Sequence, residues 1–360
     1  MTTRAWDEET ESEVWIVEPE LLNKDPSLDS AYSSDSEATI NSMETIQSTD
    51  VIDFFRVSHG RAFPIYDGLP MALPADQGEI HRLKIQHAAV KKVVGDSLDS
   101  LIEAHLAPGS DGRRKQVLDI RTQCGLWADE IAVKYPNADI KSIDVAPTVA
   151  HHPRHNLHHE VYDIHAGILE PTEAFDIVHA RHSVNMIKDW TSLLHEIHRV
   201  LRPGGLLIFG ELDPRLTLPG EREPALNGAA RHSARFFEAY RSTLAKGGVL
   251  VEASSQIDDW LRPDSGLWST GTPSGFHQTV HRVWELPLNG LWHPDPEIQE
   301  IGILMAMNFC KFIASAQPLF LSHEISEPDY DWWAEEMKRE IRDPENSVVI
   351  RYHSVTALKL

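Results

Sequence analysis

Short apolar runs alternate with longer amphipathic stretches from residue 116 onward. The runs are QVLDI, IKSIDV, FDIVHAR and GLLIFGEL, and stretches such as WADEIAVKY and WTSLLHEIHRVL separate them. Short apolar runs are typical of buried strands, whereas apolar positions three and four residues apart indicate helices. Strands that alternate with helices predict right-handed crossovers and a mainly parallel sheet with helices on both faces, which is an α/β fold.

The regions around this alternation are less regular. Residues 51–110 contain a loop rich in Gly and Pro and then EIHRLKIQHAAVKKVV, whose apolar face predicts a helix in an N-terminal cap segment. Pro203-Gly204-Gly205 predict a turn between the last regular helix and its strand. In a domain of residues 111–360, residues around 214–300 are interpreted as substrate-side insertions, and NSVVIRYHSVTALKL predicts two short terminal strands or a hairpin.

The first fifty residues have a different composition. They contain thirteen acidic side chains against two basic ones, interleaved with Ser and Thr. Such a segment buries too little apolar surface to offset its ordering entropy, so residues 1–50 are predicted to be a mostly disordered tail. Its apolar run VWIVEPELL could dock as a strand or a helix, and the tail either is only solvated or recruits a regulatory partner.

Charge and cysteine content narrow the class of protein. The net charge of -22 and the pI of about 5.3 argue against direct binding to nucleic acid or to an anionic membrane. Two cysteines cannot form a disulfide framework, and no run approaches the roughly 18 consecutive apolar residues of a membrane span. We therefore expect a soluble intracellular protein, cytoplasmic or nuclear.

Acidic residues follow three of the predicted strands. In an open α/β sheet, ligands bind outside the carboxyl ends of the strands. The first strand ends at Asp119, its loop RTQCG ends at Gly125, and Asp144 ends the second strand 25 residues after Asp119. A carboxylate at the latter position can accept both hydroxyls of a ribose, and Asp163 after a third strand could contact an adenine edge. This pattern predicts a nucleotide-type cofactor site.

Several segments together resemble one family. HGRAFPIYDGLPMALPADQGEIHRLKIQHAAV is similar to its N-terminal segment, VLDIRTQCGLWADEIAVKYPNADIKSIDVAP to its first motif through the second strand, and FDIVHARHSVNMIKDWTSLLHEIHRVLRPGG to its fourth-strand motifs. The chain resembles the fungal LaeA-like members of the class I S-adenosyl-L-methionine (SAM) methyltransferases. The resemblance implies a Rossmann-like core with a mainly parallel seven-stranded sheet, SAM as cofactor and a role in secondary metabolism.

The resemblance also implies roles for individual residues. The residues it assigns to the cofactor site are Arg61, Arg82 and His87 of the cap, Asp119, Arg121 and Gly125 of the first loop, Asp144 at the ribose, Asp163 at the adenine, and Arg181 after the fourth strand.

The first loop departs from the family pattern. Where the family has glycines, this chain has Arg121 and Gln123, although glycine normally permits close backbone approach to the cofactor. Two outcomes are open. Arg121 could pair with the cofactor carboxylate through a charge-assisted hydrogen bond, or its bulk could fill the pocket and abolish binding.

Methyl transfer needs positioning and desolvation more than a fixed catalytic dyad. A hydroxyl or protonated amine acceptor would benefit from a general base, for which His179 and His182 are the catalytic candidates. Glu211 and Asp213 are candidates for binding the substrate. Each of these four side chains could equally be structural, as a strand cap or a turn former.

The run HHPRHNLHHE raises the question of a metal site. Its five histidines lack regular ligand spacing and no cysteine lies among them, so we interpret the run as a solvated connector and expect no metal.

The sequence as a whole predicts a SAM-dependent methyltransferase acting on a small secondary metabolite, by O- or N-methylation, or on an unidentified protein. The alternative is a catalytically inactive regulator or scaffold that uses the same fold to bind a protein partner.

Overall fold

Two antiparallel strand pairs precede the main sheet. The computed structural model describes residues 3–7, 12–16, 46, 50–65, 73–110, 112–149, 154–268, 274–323 and 325–360. Strand β1 (Thr3–Asp7) pairs with β2 (Ser12–Ile16), and β3 (Phe55–Ser58) pairs with β4 (Arg61–Pro64). The first pair lies within the tail that was predicted to be mostly disordered, and the rest of that prediction falls outside the described residues.

The predicted α/β fold is confirmed by the seven-stranded sheet that follows. Its strands are β5 (Lys115–Ile120), β6 (Ala138–Asp144), β7 (Leu157–Val161), β8 (Phe175–Arg181), β9 (Leu201–Thr217), β10 (Phe276–Pro287) and β11 (Val349–Lys359). They lie in the order β10-β11-β9-β8-β5-β6-β7. Strand β11 alone runs opposite to the other six, since it pairs antiparallel with β10 and β9 while the remaining pairs are parallel. The carboxyl ends of β5, β6, β7, β8 and β9 therefore meet at one edge.

Helices cover both faces of the sheet because consecutive strand residues point to opposite sides. They are α1 (Gln77–Leu106), α2 (Leu126–Lys134), α3 (Trp190–Val200), α4 (Arg231–Lys246), α5 (Ala253–Leu261), α6 (Pro296–Leu321) and α7 (Glu327–Arg342). Val117 and Ile177 belong to one hydrophobic cluster, whereas their neighbours Leu118 and Val178 belong to another. Two separate cores thus hold the helical layers in place.

Three local predictions were wrong. Pro203-Gly204-Gly205 lie within β9, which starts at Leu201 directly after α3. They do not form a turn between two elements, and the pairing of β9 with β8 shifts register where they lie. The C-terminal segment forms the single strand β11, because its partner strand β10 is supplied by the region that looked irregular. The cap helix α1 continues well beyond its predicted end, to Leu106.

Helix α6 is apolar and long enough to cross a membrane, by length and composition alone. The sequence analysis did not anticipate this. Half of its apolar window is buried inside the protein, where the helix contacts α1, α7 and β10. These contacts are typical of a helix in the core of a protein. They place α6 beside the carboxyl edge of the sheet.

Candidate active site

The loop after β5 keeps a glycine-like backbone path without the glycines. Arg121, Gln123 and Gly125 have φ angles of 72°, 55° and 75°, all in the left-handed region. That region costs a residue with a side chain roughly 1–2 kcal/mol, so two alternate positions here are strained. Hydrogen bonds from the backbone N–H groups of Arg121 and Thr122 to the carbonyl of Ile143 hold the loop against β6.

Asp144 lies at the end of β6, directly beside this loop. Its Oδ2 accepts a hydrogen bond from the backbone N–H of Gln123 at 3.0 Å, and its Oδ1 accepts one from Val145 at 2.8 Å. Burial raises the pKa of Asp144, although Arg121 and the two N–H groups lower it. A carboxylate oxygen has two acceptor sites, so each oxygen of Asp144 can accept a further hydrogen bond.

A network of partnered side chains lies behind the loop, and we call it the wall cluster: Asp119, Thr122, Trp127, Ser142 and His179. Asp119 accepts hydrogen bonds from Ser142 Oγ at 2.8 Å and from His179 Nδ1 at 2.7 Å. Ser142 also bonds to Thr122 Oγ1 at 2.8 Å. The ring of Trp127 stacks on the ring of His179, with centroids 3.6 Å apart and planes 9° apart. His179 therefore has one ring face covered and one nitrogen committed to a partner.

The cap helix α1 is tied to the end of β8. Arg181 donates from Nη2 to His87 Nδ1 at 2.7 Å, and His87 Nε2 lies 3.1 Å from a carboxylate oxygen of Glu130 on α2. Burial and the adjacent Arg181 lower the pKa of His87 to about 4, so its ring is neutral near pH 7. This chain of contacts fixes the position of the cap over the carboxyl edge.

A cavity of about 90 Å³ lies between the cap, the loop and helices α4 and α6. Most of its lining is apolar, including Leu212, Phe237, Leu244, Phe309, Phe312 and Ile350. The polar side chains that line it are Arg82, Gln86, Arg121, Gln123, His182, Asn185, Glu211, Tyr240 and Asn308. An apolar pocket with a few convergent polar groups is the usual form of a small-molecule site.

His182 and Glu211 have unusual protonation properties within this cavity. His182 has a φ of 51°, and its buried Nε2 has no hydrogen-bond partner in the part of the chain that the structure describes. Burial and the nearby Arg181 and Arg82 hold its pKa well below the usual value, so the ring is neutral. Burial raises the pKa of Glu211 to about 8, against the opposing effect of hydrogen bonds from the N–H groups of Ser183 and Val184. Perturbed groups of this kind in a cleft often mark a functional site.

Comparison with known proteins shows which methyltransferases this chain resembles. The sequence family described as "Methyltransferase domain" matches residues 94–262. Methyltransferase pytC of Aspergillus terreus is 27% identical over 256 residues, which are 71% of this chain and 72% of that protein. The chain is similar to the LaeA-like methyltransferases.

Further proteins show the same similarity. The secondary metabolism regulator laeA of Aspergillus niger is 29% identical over 251 residues, covering 69% of this chain and 60% of that protein. The protein-methionine methyltransferase laeA of Emericella nidulans is 26% identical over 284 residues, covering 78% and 66%. A solved phosphoethanolamine N-methyltransferase from Haemonchus contortus aligns with a TM-score of 0.41 and 17% identity, over 73% of this chain and 52% of that one. The matched methyltransferase domain and the seven-stranded sheet confirm the predicted fold, the named relatives confirm the resemblance, and SAM is the cofactor of this class of domain.

The predicted cofactor residues of this LaeA-like chain fall into two groups. Asp144 and Gly125 lie at the strand edge, and a Cβ added to Gly125 would approach the side chain of Val149 to 2.9 Å. Asp163 accepts a hydrogen bond from the N–H of His165 and so caps the short 3-10 helix after β7. The oxygens of Asp144 fit a ribose, whereas Arg121 and Gln123 put side chains where glycine would leave open space. Gln123 Nε2 donates to the carbonyl of Arg181 at 3.3 Å.

Other predicted residues have contacts that point to structural roles. Arg61 pairs with Asp76 and donates to the carbonyl of Ala314, which joins the β3-β4 hairpin to α6. Asp213 does not line the cavity, because its carboxylate pairs with the buried Arg241 of α4 at 2.7 Å. This ion pair does not favour the assignment of Asp213 to the substrate, whereas Glu211 lines the cavity.

Two further sequence interpretations need correction. His179 belongs to the wall cluster and is not among the residues that line the cavity, which argues against its use as a base. His158 and His159 lie on β7 and not in a connector, because this part of the histidine run pairs with β6.

The sequence analysis missed the far wall of the cavity. Asn185 follows β8, and Phe237, Tyr240 and Leu244 follow one another at helical spacing along α4. That spacing predicts a helix with one apolar face. Nothing in it showed that this face covers a site more than a hundred residues earlier in the chain.

Proposed function

We propose that this protein transfers a methyl group from SAM to a small acceptor in secondary metabolism. One observation carries the proposal: the cavity that begins at the cofactor loop contains His182, whose buried Nε2 has no hydrogen-bond partner among the described residues. The same edge of the sheet carries the cofactor loop, the carboxylate of Asp144 and the basic nitrogen of His182. Group transfer between two bound molecules needs such an arrangement.

The chain supplies the groups that would hold both reactants. Asp144 would bind the ribose hydroxyls and Asp163 would lie towards the adenine. When bound, SAM supplies an electrophilic methyl carbon on a sulfonium. The apolar residues of α4 and α6 exclude water from the acceptor, and His182 Nε2 can accept the proton that a hydroxyl or ammonium acceptor must lose.

The small volume of the cavity favours a small acceptor. An apolar cavity of roughly 150 Å³ holds a benzene molecule, whereas this cavity measures about 90 Å³. A compact metabolite, or a single side chain of a protein, suits this volume better than a folded surface does. The relative from Emericella nidulans carries protein-methionine methyltransferase in its name, so a protein acceptor is the second candidate.

The first test is calorimetric titration with SAM and with S-adenosylhomocysteine. We expect micromolar binding that Asp144→Asn weakens at least tenfold, because the ribose loses its charged acceptor. Asp139→Asn is the matched control, since Asp139 lies on the same strand but faces Arg114 at the opposite end. We expect this control to bind like the unchanged protein.

A folded protein that binds neither ligand at millimolar concentration would contradict the proposal. The inactive regulator or scaffold would then be the better description, and the bond from Gln123 to the Arg181 carbonyl would be one reason for the lost site. Cytoplasmic or nuclear localisation remains part of the proposal and can be followed with a fluorescent fusion.

A further inference from the structure

Arg121 is a partly buried cation that makes no direct ion pair with a carboxylate among the described residues. Its Nη1 donates to Asn185 Oδ1 at 2.6 Å, and the carboxylates of Asp144 and Glu211 act on its charge only through space. Part of its surface stays accessible to the cavity that it lines. A buried charge without a direct ion pair is costly, and arginine cannot avoid that cost by losing its proton at ordinary pH. The position is strained as well, because its φ is 72°.

The other charged groups around the cavity are accounted for. Arg82 donates to both carboxylate oxygens of Glu79 and also to Gln86 and Asn308. Glu211 is held by two backbone N–H groups, and burial raises its pKa to about 8, so it is largely neutral at pH 7. Asp144 likewise receives two backbone N–H groups. Arg121 is therefore the group that an added anion would neutralise.

We propose that Arg121 binds a carboxylate of the methyl acceptor, so that the acceptors of this site are compact acids that carry, beside the carboxylate, the hydroxyl or amine that is methylated. The guanidinium matches a carboxylate through two parallel N–H···O bonds, and Asn185 beside it can donate through its amide. The apolar side chains of Phe237 and Phe312 then cover the rest of the acceptor. This inference rests on the proposed function for the transfer step, but the anion site itself does not.

A carboxylate could come from two sources, because the methionine part of SAM also carries one. The contacts of Arg121 favour the acceptor. The guanidinium bonds to Asn185 in the segment after β8 and lines the cavity together with α4 and α6 residues. The ribose acid Asp144 instead bonds to the backbone N–H of Gln123 and makes no direct ion pair with the guanidinium.

The decisive experiment compares propanoate with its uncharged isostere propanamide, both of which are smaller than benzene. Both are titrated by ligand-detected NMR against the whole protein saturated with S-adenosylhomocysteine. We expect the acid to bind at least tenfold more tightly than the amide.

Arg121→Gln should abolish this preference and Arg121→Lys should keep part of it. The control Arg235→Gln should keep all of it, since Arg235 is an exposed arginine on α4. Thermal melting of each variant confirms that it is folded.

Equal binding of acid and amide, no acid binding at millimolar concentration, or a preference that survives in Arg121→Gln would each overturn the proposal. The cofactor source is tested with S-adenosylhomocysteine and with methylthioadenosine, which lacks the amino-acid part. If Arg121→Gln weakens only the former, tenfold or more, Arg121 serves the cofactor and the proposal fails.

A second series without S-adenosylhomocysteine separates this inference from the methyltransferase proposal. If the protein binds neither cofactor form and yet prefers the acid through Arg121, the transfer function fails while the anion site stands. If it binds the cofactor and shows no preference for the acid, the transfer function stands and the anion site fails.

Discussion

The wall cluster and the cavity lie on either side of the same loop and contrast in how their polar groups are satisfied. In the wall cluster, Asp119 and His179 are bonded to each other and packed against an aromatic ring. In the cavity, Arg121 has no ion-pair partner among the described residues and His182 Nε2 has no hydrogen-bond partner. Folding accounts for the first arrangement, because buried polar groups in native proteins are nearly always paired. The unpaired groups of the second indicate a ligand.

The largest expected effect is on the stability of the wall cluster. Asp119→Ala leaves His179 Nδ1 and Ser142 Oγ without their buried acceptor, so we expect the free energy of unfolding in urea to fall by about 3 kcal/mol. Asp99→Ala is the control, because Asp99 forms an exposed pair with Lys134 whose removal should cost less than about 0.5 kcal/mol. Equal losses in the two variants would show that the cluster is not a stabilising network.

His182 should show the opposite behaviour. His182→Asn tolerates the positive φ and removes no hydrogen bond to Nε2, so stability should change by less than about 1 kcal/mol. Methyl transfer to an acceptor found with a labelled methyl donor should fall about 100-fold, as for loss of a general base. His179→Gln should instead lower the free energy of unfolding, because it removes the stacking on Trp127. A stable His182→Asn variant with unchanged turnover would end the assignment of His182 as the base.

A pH dependence follows from Glu211. Its pKa in the folded protein is about 8 because of burial, which is well above the value in the unfolded chain. Between these two values the folded state binds a proton that the unfolded state lacks. The contribution of Glu211 is thus fully present at low pH and is lost as the pH rises through 8. We expect stability to fall, relative to Glu211→Gln, by at most about 1.4 kcal/mol per pH unit between pH 5 and 8.

The comparison with Glu211→Gln is needed because several buried histidines act in the other direction. His87, His198 and His353 have pKa values lowered to about 4 by burial, so they favour the folded state increasingly as the pH rises towards 6.5. Their effect cancels in the difference between the two proteins. A difference that stays constant from pH 5 to pH 8 would mean that Glu211 titrates normally.

The smallest effect concerns the stacked ring of the wall cluster. Trp127→Leu keeps an apolar side chain but loses the stacking on His179, which should reduce stability by about 1 kcal/mol. Binding of S-adenosylhomocysteine should stay within about threefold, since Trp127 does not line the cavity. Strongly weakened binding would show that Trp127 contributes to the ligand site, so that the wall cluster and the cavity would not be separate regions.

Much of this site could be predicted from the sequence because its signals are local. Alternation of apolar runs with amphipathic stretches determined the α/β fold, and the position of Asp144 at the end of a strand followed from that pattern. The unusual Arg121 and Gln123 were equally visible, because the loop pattern is short and contiguous. These features depend on residues that are close together in the sequence, so they can be recognised without the structure.

The tertiary structure alone decided what surrounds these residues. His179 and His182 are three positions apart and looked equivalent, yet one lies within β8 and bonds to Asp119, whereas the other follows the strand and lines the cavity. Helices α4 and α6 complete the cavity from far along the chain. Which side chains remain unpaired depends on such long-range packing, because burial and partners are properties of the folded neighbourhood and not of sequence spacing.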